Sequence, residues 1–359
     1  MKAEHPDSQT AGRLWGQDII LPSDEKRDYP LRGHHWQVDQ PKGTVLILPG
    51  FTEFCEKYSE LASHLTSWGY DCLIIDWPGQ GRSGQLGSQS QLVHIDSFDQ
   101  HIEALDEMIA QAGLSSHSFS VIGHSMGGAL GLMAAHRYAY QLDQLIILSP
   151  MIIPKGAPPW LAVSLAQILK ALGQSKKPLP FSHIPDIASS RKFKIDNSLT
   201  RDPEGYDRQY QIFETKPELR RSQPSVGWVY AAFSRCLQTT LNPDWMRQIS
   251  CPVLALVAGD EVIVDLDKTR QMLGFLPRLK SHFFAEARHE LLQEIPEVRE
   301  RVFEMIKSAL EYDDLLDPHA AGEISSVNTE PAEQVDGDDI SPPLTDEADE
   351  ADDISSEAR

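Results

Sequence analysis

Short, uninterrupted apolar runs alternate along this chain with longer segments whose apolar residues recur at helical spacing. The runs are residues 44–48, 72–75, 119–122, 145–148, 253–257 and 282–284. A continuous β-rich run is the pattern of a strand buried on both faces. Between them the spacing predicts helices over 53–68, 97–112, 129–140, 266–273 and 298–310. Gly69 ends the first of these, as a glycine after a last apolar turn should. The alternation predicts an α/β fold, a mostly parallel sheet with helices on both faces.

The pattern breaks at Ser149-Pro150 and resumes at Val253. Residues 151–248 show no clear buried strand. They carry helical stretches instead, over 160–172, 205–214 and 226–237, the first with Leu161, Leu165, Ile168 and Leu172 on one stripe. The expected organisation is a core of 31–150 and 249–312, split by a helical insertion at 151–248. An insertion that leaves from a strand end is placed to act as a lid. Residues 1–30 read as a polar N-terminal segment, and 313–359 as a disordered acidic tail.

Charge sharpens that division. The net charge is −21, and 17 Asp/Glu against one Arg after residue 310 place −16 of it in the tail. The body is then only mildly acidic, so charge says little about a substrate and argues against a nucleic-acid partner. The tail reads as a solvating segment, and its partner, if it has one, is not legible. Cys55, Cys72, Cys236 and Cys251 show no C-x-x-C spacing, which fits a reducing compartment. No apolar run suits a signal peptide or a bilayer span, so a cytoplasmic protein is expected. Neither metal-ligand spacing nor a cofactor motif is present: His289-Glu290 lacks the second histidine of H-E-x-x-H. Gly79, Gly81 and Gly84 match G-x-G-x-x-G, but a polar loop follows where a dinucleotide site needs a helix.

The chemistry centres on Gly123-His124-Ser125-Met126-Gly127-Gly128, between an apolar strand and a helix. A G-x-S-x-G on a strand-to-helix turn is a nucleophile elbow, with glycines flanking the serine because side chains there would strike backbone. The helix N-terminus behind Ser125 favours developing negative charge. A serine hydroxyl needs a base, and the base an orienting acid. His289 follows the last strand, at the sheet edge that bears the elbow. His124 adjoins Ser125, but neighbours on so tight a turn point apart. His34, His35, His64 and His101 lie on early segments and read as surface residues. The acid belongs after the 253–257 strand, where Asp260 and Glu261 stand side by side and charge alone does not choose. The oxyanion formed by attack needs two backbone N–H groups, for which Met126 and Phe51 are placed.

With these residues in hand, the chain resembles the α/β-hydrolase family, in the branch of monoacylglycerol lipases and lysophospholipase L2-type enzymes, also labelled serine aminopeptidase S33-like. The likeness runs over about 44–310. Its carriers are Asp76-Trp-Pro-Gly-Gln-Gly-Arg-Ser83, Gly123-His-Ser-Met-Gly-Gly128 and Ala287-Arg-His-Glu-Leu-Leu292. Two motifs of the insertion, Leu199-Thr-Arg-Asp-Pro-Glu204 and Pro224-Ser-Val-Gly-Trp228, are similar to the lysophospholipase L2 branch. The resemblance implies Ser125 as nucleophile, His289 as base and the N–H groups of Phe51 and Met126 as oxyanion donors. It implies Glu261 rather than Asp260 as the acid, because relatives place it four residues before an Asp that here is Asp265. One departure is Pro49-Gly50, where relatives usually carry His-Gly.

The expected activity is cleavage of a carboxylic ester through an acyl-enzyme. The expected substrate carries one acyl chain, as a lysophospholipid or a monoacylglycerol does. The 160–172 helix would shape an acyl pocket, touch a membrane surface, or simply pack on the sheet. The rival readings are an S33-type aminopeptidase and a non-catalytic binding protein of hydrolase fold.

Overall fold

A computed structural model describes residues 16–180, 182 and 187–311. The acidic tail, and the first half of the polar N-terminal segment, lie outside these residues.

Eight strands form one sheet. In chain order they are β1 (Gln17–Leu21), β2 (Leu31–Trp36), β3 (Thr44–Leu48), β4 (Asp71–Asp76), then, past the two-residue β5 (Leu92–Val93), β6 (Phe119–His124), β7 (Leu142–Leu148), and past the equally short β8 (Gln223–Pro224), β9 (Val253–Ala258) and β10 (Leu279–Phe284). The order across the sheet is β1-β2-β4-β3-β6-β7-β9-β10. β1 and β2 run antiparallel at one edge, and every pairing from β4 to β10 is parallel. β5 and β8 pair only with each other. β1 comes from the segment read as polar. It lies on the sheet edge with its side chains mostly exposed, so it carries no continuous apolar run.

Two apolar layers account for the unbroken strand pattern. Leu46, Leu48, Val121, Leu145 and Ile147 face one layer, with Leu105 and Met108 of α2 (Asp99–Gln111) and the small residues of α3 (Met126–Arg137). Val45, Ile47, Ile122, Ile146 and Leu148 face the other, with Leu61 and Leu65 of α1 (Ser59–Ser67) and Phe303 and Ile306 of the C-terminal helix (Pro296–Glu311). Alternate residues of each strand thus enter opposite cores, so every position is apolar.

The topology fixes where a site can form. From β3 the chain crosses to β4 on one side, and then returns to place β6 on the other. Crevices at such a switch, outside the carboxyl ends of the strands, are where open α/β sheets hold ligands. The loops after β3 and β6 carry Phe51 and Ser125.

The insertion contains α4 (Pro159–Ala171), α5 (Ile187–Arg191), α6 (Pro203–Thr215), α7 (Val226–Gln238) and α8 (Pro243–Met246). The chain then returns through β9, α9 (Leu266–Leu273), β10 and the C-terminal helix, α10. Asp202 caps α6 and Ser225 caps α7, which gives two of the insertion motifs a local role. The first motif also anchors it. Thr200 Oγ1 donates to the Gln293 carbonyl at 2.8 Å, and Glu290 N–H to the Leu199 carbonyl at 2.9 Å.

Two expectations change. The helix expected over 53–68 is a short 3-10 turn at Cys55–Tyr58 followed by α1. Glu53 and Phe54 stay outside it because the Glu53 carboxylate is used by the preceding loop. His34 and His101, read as surface residues, are buried, while His35 and His64 are half-buried. His101 sits against Trp77 and Phe98, and burial pushes its ring down to about 3, so it is a neutral core residue.

Candidate active site

Ser125 stands at φ 52° and ψ −115°, in a region that non-glycine residues avoid. Its surroundings hold it there. Its N–H donates to the Leu148 carbonyl at 2.9 Å, and its carbonyl accepts from Gly128 and Met151, each at 2.9 Å. The flanking glycines are steric necessities. A Cβ on Gly123 would lie 2.3 Å from the Gly127 carbonyl oxygen, and one on Gly127 would lie 1.8 Å from that of Leu48. The second close approach also seats the start of α3 on the end of β3, beside the loop of Phe51.

That loop uses its backbone groups almost completely. Trp77 Nε1 donates to the Pro49 carbonyl at 2.8 Å, and Gln80 Nε2 to that of Gly50 at 3.0 Å. Thr52 N–H donates to Gln80 Oε1 at 2.9 Å, and Gly50 N–H to the Glu53 carboxylate. Trp77 and Gln80 come from the Asp76–Ser83 motif, so that motif holds the loop. Phe51 N–H and Met126 N–H donate to no protein group among the described residues. Backbone donors away from solvent are normally paired, and these two stand unpaired at the switch point. The Phe51 ring packs on Trp228 of α7, with centroids 4.4 Å apart, so the second lysophospholipase-like motif reaches this loop.

The other half of the site comes from the loops after β9 and β10. Gly259 N–H donates to the Phe284 carbonyl and Asp260 N–H to that of Ala287, at 2.9 and 3.0 Å, which ties the two loops together. Across that join His289 Nδ1 meets Glu261 Oε2 at 2.6 Å. Glu261 Oε1 accepts the N–H groups of Ile263 and Val264, at 2.7 and 3.2 Å. Burial alone would raise the Glu261 carboxyl. The His289 bond and charge, with the two N–H donors, outweigh burial and hold it below its usual range. An ionised Glu261 can only accept, so Nδ1 carries the proton and Nε2 is left free to take one. Asp260 is exposed and faces Arg288 Nε at 3.2 Å. The histidine loop also reaches the elbow. His124 Nε2 lies 3.2 Å from the His289 carbonyl oxygen, and the two rings are 5.0 Å apart.

One group of residues beside the site went unread in the sequence. Glu53, Lys57, His124 and Glu290 form a buried ionic cluster behind Ser125. Its members come from three separate segments, the stretch after β3, the end of β6 and the loop after β10, and a single sequence does not pair them. The helical pattern over 53–68 begins with Glu53 and hides it further.

The sequence pattern of the family described as serine aminopeptidase, S33 matches residues 39–296, well over half the chain. The chain belongs to the serine aminopeptidase S33 family. Within this S33 chain's wider kin, lysophospholipase L2 of Escherichia coli (strain K12) is 27% identical over 252 residues, 66% of this chain and 69% of that protein. Monoglyceride lipase of Rattus norvegicus is 25% identical over 276 residues, 75% and 82% of the two chains. Among solved structures, a soluble variant of the Saccharomyces cerevisiae monoglyceride lipase in complex with a substrate analog superposes with a TM-score of 0.65. It is 17% identical, and the match covers 86% of this chain and 98% of that one. The S33 protein therefore has the α/β-hydrolase fold and is a serine hydrolase.

Proposed function

We propose that Ser125, His289 and Glu261 are a catalytic triad that cleaves the carboxylic ester of a lipid with one acyl chain, a lysophospholipid or a monoacylglycerol. The observation that carries this reading is the Glu261–His289 hydrogen bond, which leaves His289 Nε2 as the free base at the sheet edge that bears Ser125. Ser125 Oγ attacks the ester carbonyl while its proton passes to Nε2 of His289. The carbonyl electrons move to oxygen, between the N–H groups of Phe51 and Met126. Collapse of this intermediate expels the alcohol, which takes the proton from His289, and leaves the acyl group on Ser125. Water then attacks by the same route, with His289 as base, and releases the carboxylic acid.

The substrate class follows from the company this chain keeps: relatives named lysophospholipase L2 and monoglyceride lipase. The insertion acts as the lid and as the contact with a lipid surface. Trp160, Leu165 and Ile168 of α4, and Leu172 just past its end, are between 54% and 67% exposed, while Ala166 is buried. Lys155, Lys176 and Lys177, all exposed, flank this helix along the chain. An apolar stripe with basic neighbours suits the interface of an anionic membrane.

The test is turnover by the pure protein on lysophosphatidylcholine, a monoacylglycerol, a p-nitrophenyl ester and an aminoacyl-arylamide. Cleavage of the first three, lost in Ser125→Ala, supports the reading. Preference for the arylamide would make the protein an aminopeptidase instead.

A further inference from the structure

The inference concerns His124 and rests on the triad reading above. Its two ring nitrogens both face acceptors. Nδ1 lies 3.1 and 3.3 Å from the Glu53 carboxylate oxygens, and Nε2 lies 3.2 Å from the His289 carbonyl oxygen. A main-chain carbonyl can only accept, and so can an ionised carboxylate. A neutral imidazole has one N–H and would satisfy only one of the two. The geometry therefore calls for an imidazolium, buried immediately before Ser125.

The groups around it fit that charge. Glu53 accepts from Gly50 N–H, from Tyr58 Oη and from Lys57 Nζ, the last at 2.7 Å. Lys57 Nζ also reaches Glu290 Oε2 at 2.8 Å. Two carboxylates thus balance one ammonium and one imidazolium. Burial works against charge on His124, but Glu53 outweighs it and raises the ring above its ordinary range. Burial would also raise Glu53, and Lys57 and His124 together drive it well below. A small cavity adjoins the cluster, lined in part by Tyr58, Leu61 and Phe303.

Each member of the cluster grips one part of the reaction machinery. Glu53 holds Gly50, one residue before the Phe51 N–H. His124 is the residue before Ser125, and it holds the main chain of His289. Lys57 ties Glu53 to Glu290, the residue after His289. We infer that His124, as an imidazolium seated between Glu53 and the His289 carbonyl, is the positioning residue that sets the oxyanion loop and the base loop in register with Ser125. It touches no substrate. It acts through Gly50–Phe51 on one side and His289 on the other.

The test has two arms on the full-length chain. In the first, ¹⁵N NMR of histidine-labelled wild type reads the His124 ring, which should carry both protons at neutral pH. In the second, kcat and KM on p-nitrophenyl butyrate are measured for Glu53→Gln, His124→Asn, Lys57→Met and Lys57→Arg. A positioning role predicts that kcat falls by about 10²-fold in Glu53→Gln and His124→Asn while KM stays within about threefold, because the groups moved act in the transition state. Lys57→Arg, which keeps the cation, should retain activity that Lys57→Met loses. Folded Glu53→Gln and His124→Asn with near-wild-type kcat would overturn the role, and so would KM rising in their place. A neutral His124 ring in the wild type overturns it even if every variant misfolds. A wild type that neither turns over the ester nor reacts with a fluorophosphonate would sink the triad reading instead, while the ring state is still read independently.

Discussion

His289 donates its Nδ1–H to Glu261 across 2.6 Å, while Asp260, one residue earlier, points outward to Arg288. Adjacent side chains at a strand end diverge, so only one of them can orient the imidazole. Glu261→Gln should therefore lower turnover by about 10²–10⁴-fold, because an amide cannot stabilise the imidazolium formed as Ser125 is deprotonated. Asp260→Asn should cost little. Turnover of both variants on one p-nitrophenyl ester, with folding checked by circular dichroism, decides it. A severe Asp260→Asn with a silent Glu261→Gln would make Asp260 the acid.

This pair also shows how far the sequence could be read. The strand runs were legible because each strand is buried on both faces, as the two cores around Val45 and Leu46 require. Ser125 was legible because Gly123 and Gly127 are sterically forced. The choice between Asp260 and Glu261 was not open to local reasoning, since both occupy the same strand end. It needed the register to Asp265, which caps α9 by accepting from Lys268 N–H at 2.9 Å. The Glu53–His124 pair spans 71 residues and left no local signal at all. His101 misled for the opposite reason: a titratable residue on an amphipathic helix reads as exposed, but aromatic neighbours bury it.

The backbone at Ser125 should trade stability for function. At φ 52° and ψ −115° a side chain is strained, and glycine relieves that strain. Ser125→Ala and Ser125→Gly should both abolish ester turnover and fluorophosphonate labelling. Ser125→Gly should in addition be the more stable of the two, by about 1 kcal/mol. Thermal melts of the pair check the order, and a less stable glycine variant would argue that the turn is not strained.

Gly127→Ala should be severely destabilising, by about 3 kcal/mol or more, because its Cβ would sit 1.8 Å from a main-chain oxygen of β3. Relief would require α3 to move away from the Phe51 loop, so activity should fall with stability. Gly43→Ala is the control, since its Cβ would meet nothing nearer than 3.9 Å, on Tyr70. Denaturant melts of the two proteins, with turnover at a temperature where both are folded, test the contrast.

The exposed face of α4 should matter for lipid presented in a bilayer and not for a dissolved ester. Ile168 and Leu172 are 58% and 67% exposed, so replacing them by glutamate removes no core packing. Ile168→Glu/Leu172→Glu should keep its turnover on p-nitrophenyl butyrate. Its sedimentation with vesicles containing phosphatidylglycerol should fall, and salt should weaken the binding of the wild type. Equal vesicle binding by variant and wild type would remove α4 as the contact.

The Glu53–His124 pair should give stability a window in pH. Glu53 is held below its ordinary value of 4.5, so its contribution is present above that value and is lost as pH falls through the lower, folded one. His124 is raised above 6.5, so its contribution is complete below 6.5 and is lost as pH rises through the higher, folded value. The pair is therefore worth most between about pH 4.5 and 6.5, and less on either side. Removing one partner of a buried pair costs about 3–5 kcal/mol, since the other charge is left without compensation. Glu53→Gln should thus lower the melting temperature most between about pH 4.5 and 6.5, and the gap to wild type should narrow as pH falls below that window and as it rises above it. His124→Asn should show the same narrowing as pH rises above 6.5 and the wild-type ring loses its charge. Melts of the three proteins across this range measure it. A gap that stays constant with pH would mean that Glu53 and His124 meet as neutral hydrogen-bond partners, and that the imidazolium is absent.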